Sequence, residues 1–177
     1  MARSHTRVGF ETDEKYETIE KMQRASLNVV TKSGGLAIKT SSSPTVKTAA
    51  ATNYIVDTAV GSFAAGDMDA LVGTVATAKV GLWAFVITSA GATDTVAITL
   101  TEDTAAAAVG KLYDAYDLKS TETDTNSLTS TALLGFVIVA NATGSNFVGG
   151  TTALDTANLT VTYVDTPCWN PSIYNLP

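Results

Sequence analysis

The stretch Gly81-Leu-Trp-Ala-Phe-Val-Ile-Thr-Ser89, followed after Gly91-Ala92 by Thr93-Asp-Thr-Val-Ala-Ile-Thr-Leu-Thr101, decides the reading of the fold. In the second run Val96, Ile98 and Leu100 alternate with Ala and Thr at period two, the pattern of a half-buried strand. Further on, Ala132 to Ala140 (ALLGFVIVA) is almost continuously apolar, as a strand covered on both faces should be. Asn158 to Asp165 (NLTVTYVD) alternates again, with Leu159, Val161 and Tyr163 on one face. Upstream, Tyr54 to Val60 reads as the first strand of the body, Gly61 to Ala70 as a turn-rich loop and Leu71 to Thr77 as another short strand. Asn141 to Gly150 carries turn chemistry around Phe147 and Val148. Short strands spaced by roughly ten residues imply an all-β fold, an antiparallel β-sandwich or a partly open barrel. A doubly wound fold would need alternating long helices, and the pattern holds none.

Two segments depart from the strand pattern. Glu102 to Leu118 (EDTAAAAVGKLYDAYDL) favours a short helical insert through Ala105 to Ala108, interrupted by Gly110. Ser120 to Thr131 is polar and reads as an exposed loop, while the tail TPCWNPSIYNLP holds three of the four prolines and resists regular structure. Before the body, Thr12 is a plausible N-cap of a helix reaching Asn28, with Tyr16, Ile19 and Met22 in a thin apolar stripe. Leu27, Val29, Leu36 and Ile38 around Ser33-Gly34-Gly35 suggest a short hairpin, and Thr40 to Thr45 a linker. The expected organisation is an extended or helical N-terminal arm with its linker over 1–45 and a β-rich body with an extended tail over 46–177.

Composition agrees with thin β-layers. Of 177 residues, 29 are Thr and 26 Ala, while aromatics make up 7% and charged residues 16%. An apolar share of 45% excludes a disordered chain, and the absence of 18 consecutive apolar residues argues against a membrane span. A single cysteine, Cys168, excludes a disulfide scaffold; it reads as a buried thiol or, alternatively, as a link between subunits. The formal charge of −6 is unevenly divided. Residues 1–47 hold eight bases and five acids, a net of +3, against three bases and twelve acids, a net of −9, over 48–177. A basic segment on an acidic body suggests an arm reaching for an anionic surface. The N-terminus shows no apolar secretion signal, so synthesis in a host cytoplasm is expected and Asn141 and Asn158, both in N-x-T sites, are expected to stay unglycosylated.

The runs Lys79-Val-Gly-Leu-Trp-Ala-Phe85, Leu134-Gly-Phe-Val-Ile-Val139 and Phe147-Val-Gly-Gly-Thr-Thr-Ala-Leu154 with Asn158-Leu-Thr-Val-Thr-Tyr163 resemble small virion structural proteins of tailed bacteriophages, of the head-decoration or head-fibre type. The resemblance covers about residues 79–165, and FVGGTTALDTANLTVTY is its most distinctive part. It implies a non-enzymatic β-rich module bound to a capsid shell or tail, often a homotrimer; the expected role is decoration of the capsid exterior, with the major capsid protein as partner. The long charged N-terminus and Pro-rich end depart from that pattern and leave the mode of attachment open.

Catalytic chemistry finds little footing. The one histidine, His5, sits between Arg3 and Arg7, so a Ser or Cys nucleophile has no base in the body. One His and one Cys cannot fill a zinc site. Asp67, Asp69, Asp114 and Asp117 are oxygen donors for calcium without EF-hand spacing, and Glu102, Asp103 and Glu122 are the carboxylates a glycosidase would need. Sugar clefts also carry stacked aromatics, whereas Trp83 lies in an apolar strand with Phe85 and Trp169 in the tail. No nucleic-acid or membrane partner and no cofactor is expected. The residues expected to matter are those of an anchoring arm: Arg3, Arg7, Lys15, Lys21 and Arg24 against acidic patches on the shell, with Tyr16, Ile19 and Met22 burying the thin stripe. The alternatives are a tail or fibre component that binds host glycan and a neck or tail connector.

Overall fold

The computed structural model describes residues 28–115 and 131–168. The two strongest apolar runs lie side by side at its centre. Strand β7 (Lys79–Thr88) pairs antiparallel with β8 (Thr93–Glu102) on one side and with β9 (Thr131–Asn141) on the other. Strand β11 (Leu159–Asp165) pairs with β9 and completes a four-stranded sheet of order β11-β9-β7-β8. The β7–β8 turn is closed by Gly91 at φ +79, whose N–H donates to Thr88 O.

Both central strands are buried on both faces. On β7, Trp83, Phe85 and Ile87 enter one core while Val80, Leu82, Ala84 and Val86 enter the other. On β9 the alternation slips once: Phe85 faces Gly135 and Val86 faces Leu133, so Leu134 is an extra residue in a β-bulge. The bulge places both Leu134 and Val137 in the first core and Leu133 and Phe136 in the second.

The first core is closed by three small sheets. Strands β1 (Val29–Lys32), β4 (Thr52–Val56) and β5 (Ala59–Phe63) form one, in the order β1-β4-β5. Strands β2 (Leu36–Ile38) and β3 (Val46–Thr48) form a hairpin, and β6 (Thr74–Val75) pairs with β10 (Phe147–Val148). Val30, Leu36, Val46, Tyr54, Val56, Val75 and Phe147 pack here against the sheet. Phe147 meets Trp83 edge-on, with ring centroids 5.8 Å apart at 71°. The Trp83 indole N–H donates to Val72 O at 3.0 Å, so the buried ring leaves no polar atom unpaired.

The second core is covered by helix α1 (Ala105–Ala115). Thr104 caps it, its Oγ1 accepting from Ala107 N–H at 3.1 Å. Ala108 and Leu112, one turn apart, are its buried residues. Gly110 lies within the helix and faces open space; it keeps its backbone N–H and costs about 1 kcal/mol relative to Ala, too little to break the helix. The architecture is therefore an all-β, sandwich-like fold with a helical insert, and the described strands close no barrel.

The structure redraws the boundary expected at residue 45. Val30 and Leu36 are core residues, β1 pairs with β4, and β2 pairs with β3 across the supposed junction. The anticipated β1–β2 hairpin does not form. A Cβ at Gly34 would lie 2.6 Å from Ala50 O and against Thr52 Oγ1, so the glycines carry the chain past another segment instead of turning it back. Residues 40–45 are an ordered turn, with Lys39 N–H bonded to Thr45 O and Ser43 buried. Tyr54 to Val60 is not one strand but the end of β4, a turn and the start of β5; Asp57 and Thr58, at φ +48 and +71, make the two-residue turn. Strand β5 thus takes Gly61–Phe63 from the expected loop, and the expected strand over 71–77 shrinks to β6. The polar loop read at 120–131 lies outside the described residues except for Thr131, which opens β9.

Two glycines give opposite expectations in chemical denaturation. A Cβ at Gly135 would come within 2.5 Å of Leu36 Cδ1 and closer still to Val164 O, so Gly135→Ala should cost about 1–3 kcal/mol. Gly110→Ala meets nothing within 4 Å and should stabilise by about 0.5–1 kcal/mol.

Candidate functional site

All eight arm residues named from the sequence, Arg3, Arg7, Lys15, Tyr16, Ile19, Lys21, Met22 and Arg24, lie outside the described residues. What the structure defines is how that segment joins the body. Asn28 is buried at the start of β1, and its Oδ1 accepts from Asp57 N–H at 2.8 Å in the β4–β5 turn. At the other end of the described body, Cys168 N–H donates to Val30 O at 2.7 Å, so the N-terminal and C-terminal strand ends meet at β1.

This placement changes the charge argument. Lys32, Lys39 and Lys47 belong to β1, the turn after β2 and β3, and Lys39 forms an ion pair with Asp67. Residues 1–27 then hold five bases and five acids, a net of zero, and the positive excess falls on Arg3 and Arg7 ahead of the first acid, Glu11. Residues 28–177 hold six bases and twelve acids, a net of −6.

Among the described residues, the acids considered for metal binding or hydrolysis form no group of three or more that could hold a metal ion, and most are engaged elsewhere. Asp67 pairs with Lys39, Met68 between Asp67 and Asp69 points into the core, and Asp69 uses its backbone carbonyl for Thr95 Oγ1. Asp103 pairs with Lys79, Glu102 accepts from Thr99 Oγ1 at 2.9 Å, and Asp114 is 3.7 Å from Lys111. Asp117 and Glu122 lie outside the described residues. Such exposed pairs contribute little to stability.

Asp155 has a different task. Its Oδ2 accepts from Ser42 N–H at 2.8 Å and Ser41 Oγ at 3.2 Å, tying the 40–45 turn to the loop before β11. The Ser42 bond outweighs desolvation and, with the Ser41 bond, holds its carboxyl below the ordinary aspartate value. Tyr163 shifts the other way, raised first by burial and then by the Asp155 charge. Asn141 is likewise committed: its buried Nδ2 donates to Val75 O and Ser145 O, and its Oδ1 accepts from Asn158 Nδ2 at 3.1 Å. A glycan on Asn141 would require that network to open, a constraint invisible in the N-x-T spacing.

Among the described residues the free apolar surface is aliphatic. The described aromatic residues are buried or half-buried, and the exposed large hydrophobics are Val60, Val72 and Val148. Val72 and Val148 flank the contact in which Gly149 N–H donates to Gly73 O. Val60 ends a cross-strand row, Val29–Ile55–Val60, on the outer face of the β1-β4-β5 sheet. The sequence reading missed this row because it placed Ile55 and Val60 in one strand, Tyr54 to Val60, and Val29 in the arm. Cys168 is exposed at φ +57, correcting its reading as a buried thiol.

No protein-family model matches the sequence, and no curated protein or solved structure is significantly similar to it.

Asp155→Ala should speed hydrogen exchange at the Ser42 amide and proteolysis within 40–45 while leaving the global unfolding midpoint nearly unchanged, because the carboxylate is at the surface. The depressed carboxyl contributes fully above the unfolded-state value and is lost as pH falls through the folded one, so the same loosening should appear in the wild type in acid.

Proposed function

We propose that this chain is a structural protein of a bacteriophage virion, a decoration or cement module that binds the outer surface of the assembled head. The observation that carries the reading is the tether. The segment before Asn28 leads directly into β1, whose Val30 is fully buried and whose partner β4 contributes Tyr54 and Val56 to the core. An anchor in residues 1–27 therefore loads the body through a paired strand, as an adhesive module requires.

In this mechanism Arg3 and Arg7 meet acidic groups of the major capsid protein, and Lys15, Lys21 and Arg24 act beside their neighbouring acids. Tyr16, Ile19 and Met22 bury the thin stripe, and ordering of the segment on the shell adds contact area at an entropic cost. The role is adhesive, not catalytic. The resemblance of residues 79–165 to head-decoration proteins supports the location. The fibre alternative, which depends on exposed aromatics in distal loops, gains nothing from the aliphatic character of Val60, Val72 and Val148. A connector differs in copy number.

Deleting residues 1–27 should abolish binding to assembled heads that lack the protein, with the melting temperature of the body retained. Arg3→Glu with Arg7→Glu should weaken binding at low salt, with a smaller effect at high salt. Undiminished binding of the truncated chain, or a dozen or fewer copies per particle instead of hundreds, would overturn the proposal.

A further inference from the structure

Among the described residues, the strand edges of the body are guarded, with one exception. Edge strand β8 carries two register shifts against β7 and the charges of Asp94 and Glu102. Strand β11 has β2 alongside, where Leu36 N–H donates to Asp165 Oδ1 at 2.9 Å. Strand β1 has its own irregularity between Val30 and Lys32, and the Cys168 amide covers Val30 O. Strand β3 is covered by residues 66–68, with Thr48 N–H bonded to Gly66 O and Met68 N–H to Val46 O. Strands β6 and β10 are two residues each. Bulges, charges, short length and covering chain are the usual defences of a sheet edge.

Strand β5, Ala59-Val-Gly-Ser-Phe63, has none of them. It carries no charge and no proline, and it pairs with β4 in unbroken register. The two-residue turn fixes which groups face out. Val56 and Ala59 flank that turn and exchange hydrogen bonds, as do Tyr54 with Gly61 and Thr52 with Phe63. The N–H and C=O of Val60 and Ser62 therefore point away from β4, and they have no partner among the described residues. Val60 beside them is 80% exposed.

We propose that β5 is a self-association edge, occupied by β5 of a second copy of this chain about a twofold axis at Gly61. In antiparallel register with Gly61 opposite Gly61 of the second copy, Val60 of each chain faces Ser62 of the other as a hydrogen-bonded pair. All four outward N–H groups of the two strands are then used. A register centred on Val60 or on Ser62 uses fewer of them. The centred register also places the two Val60 side chains on one face as diagonal neighbours in a six-stranded sheet, each Val29–Ile55–Val60 row continuing into Ser62 and Asn53 of the other copy, and it sets Asp57 opposite Ala65. The choice of a second copy follows from symmetry. A ring built by strand addition needs two different free edges on each subunit, whereas a twofold pair needs one self-complementary edge, and one is what the described body offers. The threefold association implied by the family resemblance would have to use another surface.

Sedimentation equilibrium of the full chain over a range of concentrations tests this, with backbone amide exchange read residue by residue. The expected result is a monomer–dimer equilibrium in which the Val60 and Ser62 amides become protected as concentration rises, while the Ala59 and Gly61 amides are protected throughout. Ser62→Pro removes only the outward N–H, two hydrogen bonds per dimer, and should weaken association by about tenfold or more. Val60→Lys keeps the backbone donors but places a charge on the edge and should also weaken it, whereas Val60→Thr should not. Circular dichroism identifies any variant that fails to fold, and the amide exchange of the wild type stands independently of them. A monomer at every concentration, a trimer with unprotected Val60 and Ser62 amides, or folded Ser62→Pro and Val60→Lys chains that associate like the wild type would each overturn the proposal.

Discussion

The structure depends on the antiparallel pairing of β7 with β9. Each strand is buried on both faces along nearly its whole length, so each must be apolar at successive positions and must be covered twice. The helix satisfies one side, and the three small sheets satisfy the other. Neither cover is large by itself. A two-stranded hairpin or a single short helix is marginal in water, and each persists here because the central pair supplies a hydrophobic face to dock on. The low share of large core residues fits this plan, since the layers are thin and Thr and Ala can fill the outward positions of their strands.

That arrangement leaves the faces of the central strands with no surface to offer a partner. Whatever the body binds must use its loops, its remaining strand edges, the outer faces of the covering helix and small sheets, or the segment that precedes β1. Asn28 links that segment to the β4–β5 turn, and the same turn sets which backbone groups of β5 face outward. The tether and the free edge thus belong to one small sheet. An attachment at the N-terminus and an association through β5 would act on the same three strands, and the Val29–Ile55–Val60 row runs across all of them.

Legibility in the sequence followed the length of the pattern. The runs at 81–89, 93–101, 132–140 and 158–165 were long enough for their periodicity to identify strands and, for 132–140, burial on both faces. Short elements were harder to read. Val29–Lys32 and Leu36–Ile38 have too few residues to show a period, and the Gly34-Gly35 pair between them looks like a hairpin turn when Gly34 serves a close crossing and Gly35 a positive φ. Asp57-Thr58 carries no glycine, so the tight turn that splits β4 from β5 left no signal. The charge partition was legible as a sum but not as a surface, because three of the lysines counted with the arm are built into the body.

By itself the sequence determined that the chain is an antiparallel β protein with a helical insert, because long hydrophobic periodicities fix which strands bury one face and which bury two. Only the tertiary structure decided where the arm ends, which edges are defended, and that Val60 and Ser62 present free backbone groups. Those are matters of pairing between segments far apart in the chain, as between Val29 and Ile55 or Leu36 and Thr48. A local pattern can say that a residue prefers a strand, but the partner across the ladder is chosen by the packing of the whole body.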